Sequence, residues 1–127
     1  MIDEYFSAIK ALLDRYAATP FVLAVRVTFD RRPGDQGYLT GAVAFADGST
    51  LSCREFLDGA LGALDKLSYS YHYQDAEGRL IFRYDNAMHR PPPPSREHKH
   101  GGDLTIEAPA PELETVLSEV AEMRGWL

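Results

Sequence analysis

The stretch "KLSYSYHYQDAEGRLIFRYDN", residues 66–86, decides the fold. From Leu67 to Gln74 apolar and polar residues alternate. Leu67, Tyr69, Tyr71 and Tyr73 fall on one side; Ser68, Ser70, His72 and Gln74 fall on the other. A period of two is that of a strand with one buried face. Asp75-Ala76-Glu77-Gly78 interrupts it as a turn. Alternation resumes after it, with Leu80, Phe82 and Tyr84 opposed to Arg79, Ile81, Arg83 and Asp85. Two such runs joined by a short turn are antiparallel neighbours. A four-residue loop pairs Gln74 with Arg79 and puts both aromatic sets on one face. A three-residue loop with a glycine bulge pairs Asp75 with Arg79 and mixes the faces. A one-residue slip inverts every side chain, so burial selects the first register. His72, Ser70 and Ser68 then share a face with Arg83 and Asp85.

Working outward, Asp47-Gly48 is the strongest hairpin signal and joins strands over 38–46 and 49–56. Val22, Val25, Val27, Thr28 and Phe29 favour a strand over 21–30, closed by the turn cluster 31–35. Residues 57–64, with Gly59 and Gly62, read as a short helical turn or a bent entry into the next strand. A last short strand falls at 103–107. At the ends the period changes. Ile2, Tyr5, Phe6, Ile9, Leu12, Leu13 and Tyr16 make one helical stripe, stopped at Thr19-Pro20. Leu113, Val116, Leu117, Val120 and Met123 make another within 111–124. Strands follow one another without helical crossovers. The expected fold is α+β: an antiparallel sheet of about five or six strands with an N-terminal and a C-terminal helix packed on it. A length of 127 residues suits one domain over 1–127.

A hydrophobic content of 45% is too high for a disordered chain. The single cysteine, Cys53, excludes a disulfide framework and a cysteine-based zinc site. No apolar run reaches the ~20 residues that span a bilayer. Met1 is followed by Ile2-Asp3-Glu4 rather than by a basic stretch, so no secretory signal is expected. These features point to a cytoplasmic protein that does not engage a membrane. The net charge of −6 argues by itself against nucleic-acid binding. Its distribution does not. Residues 79–100 carry Arg79, Arg83, Arg90, Arg96 and Lys99 against Asp85 and Glu97, a segment able to meet phosphates.

Three of the four histidines, His89, His98 and His100, lie within 82–103, around the run Pro91-Pro92-Pro93-Pro94. That run reads as a stiff surface segment of polyproline type. His98 and His100, two apart, face the same way in an extended chain, and His72 projects from the polar face of the hairpin. Three readings follow. Imidazoles with Asp85 have the atoms of a zinc site, without a diagnostic spacing. The same imidazoles can cleave RNA without metal, one as base toward the 2′-hydroxyl and one as acid toward the leaving oxygen. Arg83, Lys99 and Arg90 would then hold phosphate. The third reading makes Tyr84-Asp85-Asn86 a structural corner and the histidines plain surface residues. Ser-His-Asp catalysis lacks a nucleophile-elbow motif, and no glycine-rich phosphate loop is present.

Residues 66–89 together with His98-Lys99-His100 resemble the TumE family, toxins of bacterial type II toxin–antitoxin pairs. The upstream "GSTLSCREFLD", residues 48–58, fits the same pattern. Tyr69-Ser70-Tyr71-His72, Arg83-Tyr84-Asp85-Asn86 and His89 carry the resemblance in combination. It implies a toxin acting on RNA and a helix-turn-helix antitoxin encoded next to it. It assigns no catalytic role, so roles come from the chemistry. His98 or His100 serves as acid or base, with His72 as the other candidate; Asp85 orients a histidine; Arg83, Lys99 and Arg90 bind substrate. No cofactor is implied, and a homodimer is allowed. The alternatives are a metal-dependent His/Asp nuclease and a non-catalytic module that binds nucleic acid or protein.

Overall fold

The computed structural model describes residues 1–86, 98–101 and 104–127, with the side chains of His98 and of 104–107 excepted. Pro91 to Pro94, His89, Arg90 and Arg96 lie outside the described residues, as does Asp103, where the last strand was expected to begin. The chain runs α1 (Ile2–Ala17), β1 (Val22–Arg32), β2 (Gln36–Phe45), β3 (Thr50–Asp58), β4 (Asp65–Gln74), β5 (Leu80–Asp85), β6 (His98–Gly101), β7 (Leu104–Glu107) and α2 (Leu113–Met123). All seven strands form one sheet in chain order, and every neighbouring pair is antiparallel. The α+β class and the two terminal helices are as expected. The added element is β6: the return from the proline segment pairs with β5 and carries the His-Lys-His triplet into the sheet. Residues 59–64 hold no helix; they bend the chain into β4.

Both helices cover one face. The apolar stripe of α1 and that of α2, apart from the exposed Met123, join Leu39, Val43, Leu51, Leu57, Tyr71, Tyr73 and Phe82 in a single cluster. Fully burying one such side chain contributes about 1.5–3 kcal/mol, and this converts alternation into register. α1 sits so close to β2 that a Cβ on Gly37 would stand 2.6 Å from the Phe6 ring. Beyond α2, Trp126 stacks on Phe21 at 5.0 Å and on Phe45 at 5.3 Å.

The β4–β5 turn departs from the four-residue loop. The Asp75 N–H donates to the Arg79 carbonyl at 2.9 Å, Gly78 takes φ 83°, and the Asp75 carboxylate accepts from the Glu77 and Arg79 amides. That is the shorter, glycine-dependent closure. It keeps the aromatics on one face, because Ile81 is an extra residue on β5, but Leu80 and Ile81 exchange places: Leu80 pairs with Gln74, and Ile81 packs against the core. Gln74 pairs with Leu80, and Tyr73 with Phe82. The aromatics stay together, but the pairing advances by two residues, so Arg83 stands opposite His72 and Asp85 opposite Ser70.

A second irregularity lies between β3 and β4, where Phe56 pairs with Ser68 but Leu57 pairs with Lys66. Leu67 is the extra residue and is 46% exposed, against the expectation of burial. Lys66 takes the inward place.

Candidate functional site

Across the uncovered face the register aligns two rows. Ser52, His72, Arg83 and His100 stand opposite one another on β3, β4, β5 and β6. Arg54, Ser70, Asp85 and the backbone of His98 form the parallel row. Ser52, Cys53, Arg54, Ser70, His72 and Arg83 line a shallow depression of about 370 Å³. Its floor is built of small residues, and its rim carries two guanidinium groups and an imidazole.

Asp85 organises the β5–β6 end. Arg83 Nε donates to Asp85 Oδ2 at 2.7 Å, and His100 Nε2 lies 3.4 Å from the same oxygen. The Asp85 side chain is 4% exposed, so its charge is held by these neighbours rather than by water. A carboxylate fixed between a guanidinium and an imidazole sets the position of both. His72 flanks Arg83 on the other side, one strand away. With strands about 4.8 Å apart, His72 and His100 bracket Arg83 across roughly 10 Å.

Asn86 behaves as the structural-corner reading expects. Its Oδ1 accepts from the Tyr69 amide at 3.1 Å, and its Nδ2 donates to the Leu67 carbonyl at 3.0 Å. Asp85, beside it, turns to the open face instead. The corner reading therefore holds for Asn86 and is incomplete for Asp85.

Lys99 is not brought to this site. It lies on the helix-covered face, where Nζ donates to Glu119 Oε2 at 2.6 Å and sits 4.9 and 4.8 Å from the centres of the Phe82 and Tyr84 rings. Partial burial lowers the Lys99 pKa, but hydrogen bonding to Glu119 and Tyr84 outweighs it, and the net shift is upward. The Tyr84 hydroxyl, which donates to Glu119 Oε1 at 2.7 Å, is raised by burial and by that bond. Lys99 thus clamps α2 to the sheet. His98 is placed by backbone register opposite Asp85 and Glu107. Arg90, the remaining substrate-binding candidate, is outside the described residues. Among the described residues no three His, Cys, Asp or Glu side chains converge as a metal-binding group.

Arg54 was not singled out from sequence. Its signal is the alternation Thr50, Ser52, Arg54, Phe56 against Leu51, Cys53, Glu55, Leu57, which sets Arg54 on the polar side. The same alternation hides a second polar group beneath α1. Glu55 is fully buried, and its carboxylate accepts from the Tyr5 and Tyr71 hydroxyls, with Lys66 Nζ 3.6 Å away. Lys66 also donates to the Pro111 carbonyl at 2.9 Å. Burial, then the Glu55 charge, push the Tyr5 and Tyr71 hydroxyls upward and raise the Cys53 thiol to about 12. Tyr5, Glu55, Lys66 and Tyr71 face the core and take no part in the open face.

The fold and its uncovered face thus describe a small α+β protein that presents histidine, arginine and a shielded aspartate on one side of an antiparallel sheet. The family model described as Toxin TumE matches residues 9–125, nearly the whole chain. The chain belongs to the TumE toxin family, and membership implies an antitoxin partner. No curated protein and no solved structure matches it. Among the described residues no helix is long and apolar enough to cross a membrane.

Proposed function

We propose that this chain is the toxin of a type II pair, that its antitoxin is a helix-turn-helix protein encoded beside it, and that it cuts RNA without a metal ion. The observation that supports cleavage is the row His72–Arg83–His100, with Asp85 between Arg83 and His100. A phosphate over Arg83 has one imidazole on either side. His72 takes the proton from the 2′-hydroxyl, whose oxygen attacks phosphorus. The bond to the 5′-oxygen breaks, and His100, its positive charge compensated by Asp85, delivers a proton to the leaving oxygen. The products are a 2′,3′-cyclic phosphate and a 5′-hydroxyl, with no other reactant consumed. Arg83 and Arg54 stabilise the charge that develops on the phosphoryl oxygens. His98, across the ladder from Asp85, is the alternative acid, and Arg90 an additional phosphate ligand. Lys99 has no place in this arrangement.

The test joins cells and purified protein. Expression alone should arrest growth, and co-expression of the neighbouring gene should restore it. Purified protein should turn over an excess of RNA in EDTA and leave cyclic phosphate ends. Loss of cleavage in EDTA with recovery in zinc or manganese would reassign the histidines as metal ligands. Retardation of RNA without cleavage would favour the binding-module reading.

A further inference from the structure

The aromatic residues all lie in the described part of the chain, and all but two belong to the core cluster or pack against it. The two are Tyr38 and Phe56. They stand opposite each other on β2 and β3, half-buried, on the same open face as Arg54 and His72. Their ring centres are 6.2 Å apart at 75°. The Arg32 guanidinium lies 5.8 Å from the Tyr38 ring centre. Around them are Thr40, Ser68 and the exposed Arg54, two residues further along β3.

A cross-strand aromatic pair stabilises a sheet whatever else it does. Placement separates this pair from the rest. The apolar patch is only two rings wide and is bordered by hydroxyls, by Arg54, by Arg32 paired at 2.9 Å with Asp30 opposite Tyr38, and by Asp58 two residues beyond Phe56. A protein-docking patch is broader and more continuous. Flat π surfaces beside cations, over a floor of small residues, suit nucleobases joined by phosphates. The ladder also sets the distance. Phe56 lies two residues from Arg54 and four from Ser52 in the His72 row, so the rings are about 13 Å from that row measured along the strand.

We propose that Tyr38 and Phe56 are a stacking platform for an unpaired base of single-stranded RNA, whose backbone passes Arg54 on its way to the His72–Arg83–His100 row. This rests on the RNA reading above and narrows it to single strands. A base held in a duplex has no free face to offer the rings, whereas its phosphates can still meet the arginines.

The experiment measures binding of a short unstructured RNA, and of the same sequence as a duplex, to a His72→Ala/His100→Ala parent that cannot consume the ligand. Tyr38→Leu and Phe56→Leu, made in that parent, keep the apolar bulk and remove the π face. Each should weaken single-strand binding about 5- to 150-fold, the usual loss of one stacked base, and leave duplex binding unchanged. If a variant fails to fold by urea denaturation, 4-thiouridine cross-linking to the parent decides, with Tyr38 or Phe56 expected as the attachment site. Unchanged single-strand affinity, or cross-links only elsewhere, overturns the platform while leaving RNA cleavage by the wild type standing. Binding through the rings with no cleavage by the wild type supports the platform and removes the catalytic reading. Equal losses for duplex and single strand, or loss of antitoxin binding alone, overturn the platform as an RNA site. Failure of either RNA to bind overturns both readings.

Discussion

Arg83 Nε donates to Asp85 Oδ2 at 2.7 Å from two residues up the same strand, and His100 Nε2 reaches that oxygen from the next strand at 3.4 Å. One carboxylate therefore positions together the group proposed to hold phosphate and the group proposed to transfer a proton. Asp85→Asn keeps the shape and removes the charge. Cleavage should fall ~100- to 10,000-fold, the range associated with a positioned acid or base. RNA affinity should change far less, because Arg54 and Arg83 are retained. Single-turnover rates and equilibrium binding on the same RNA separate these effects. A parallel loss of binding would show that Asp85 serves only to hold Arg83.

Arg54 and Lys99 are both cations near the histidines in sequence or space, and the structure gives them opposite surroundings. Arg54→Ala should weaken RNA binding and reduce its salt dependence by about one counterion. Lys99→Ala should leave the salt dependence alone. It breaks a charge-assisted bond to Glu119 over two aromatic rings, so about 1–3 kcal/mol of stability should be lost. Salt titrations of binding and urea unfolding of both variants check the contrast.

Alternation placed the strands, the helices and the division into a covered and an open face, because burial of Tyr71, Tyr73 and Phe82 leaves one way to turn each strand. It did not place neighbours. The shift that puts Arg83 beside His72 depends on Ile81 being an extra residue, and the inward turn of Lys66 on Leu67 being another. Each bulge costs one residue of pairing, and only the packing around it decides where it falls. β6 was missed for a related reason. Four residues rich in histidine carry no apolar alternation, and their strand exists because β5 offers them an edge. Lys99 then faces the helices because it is one residue from His100, whose side chain meets Asp85 on the open face.

The Glu55 cluster gives a stability test remote from the open face. Lys66→Ala leaves the fully buried Glu55 carboxylate without its cation, which should cost about 3–5 kcal/mol. Replacing both residues with methionine removes the uncompensated charge and should recover most of that loss. Urea midpoints of the single and double variants measure the difference. Equal losses in both would mean that the hydroxyls of Tyr5 and Tyr71, rather than Lys66, hold the carboxylate in place.

Cys53 sets a further dependence on pH, with a sign that follows from burial. Its thiol is raised from 9.0 to about 12, first by burial and then by the charge of Glu55. Below pH 9 folded and unfolded chains both keep the proton, and the contribution to stability is complete. Between 9 and 12 the unfolded thiol is ionised while the folded one is not. The unfolded state then binds fewer protons, so stability must fall as pH rises, by up to about 1.4 kcal/mol per pH unit for this group. Above pH 10 the buried hydroxyls of Tyr5 and Tyr71, also raised, steepen the decline. Cys53→Ala has no thiol to ionise and should show a flatter profile from pH 9 to 12, with only the tyrosine contribution left above pH 10. The wild-type thiol should also react slowly with disulfide reagents at neutral pH, since it is both covered and protonated. Urea unfolding at half-unit pH steps measures the slope. A wild-type profile as flat as that of Cys53→Ala would show that the thiol reaches solvent in the folded chain.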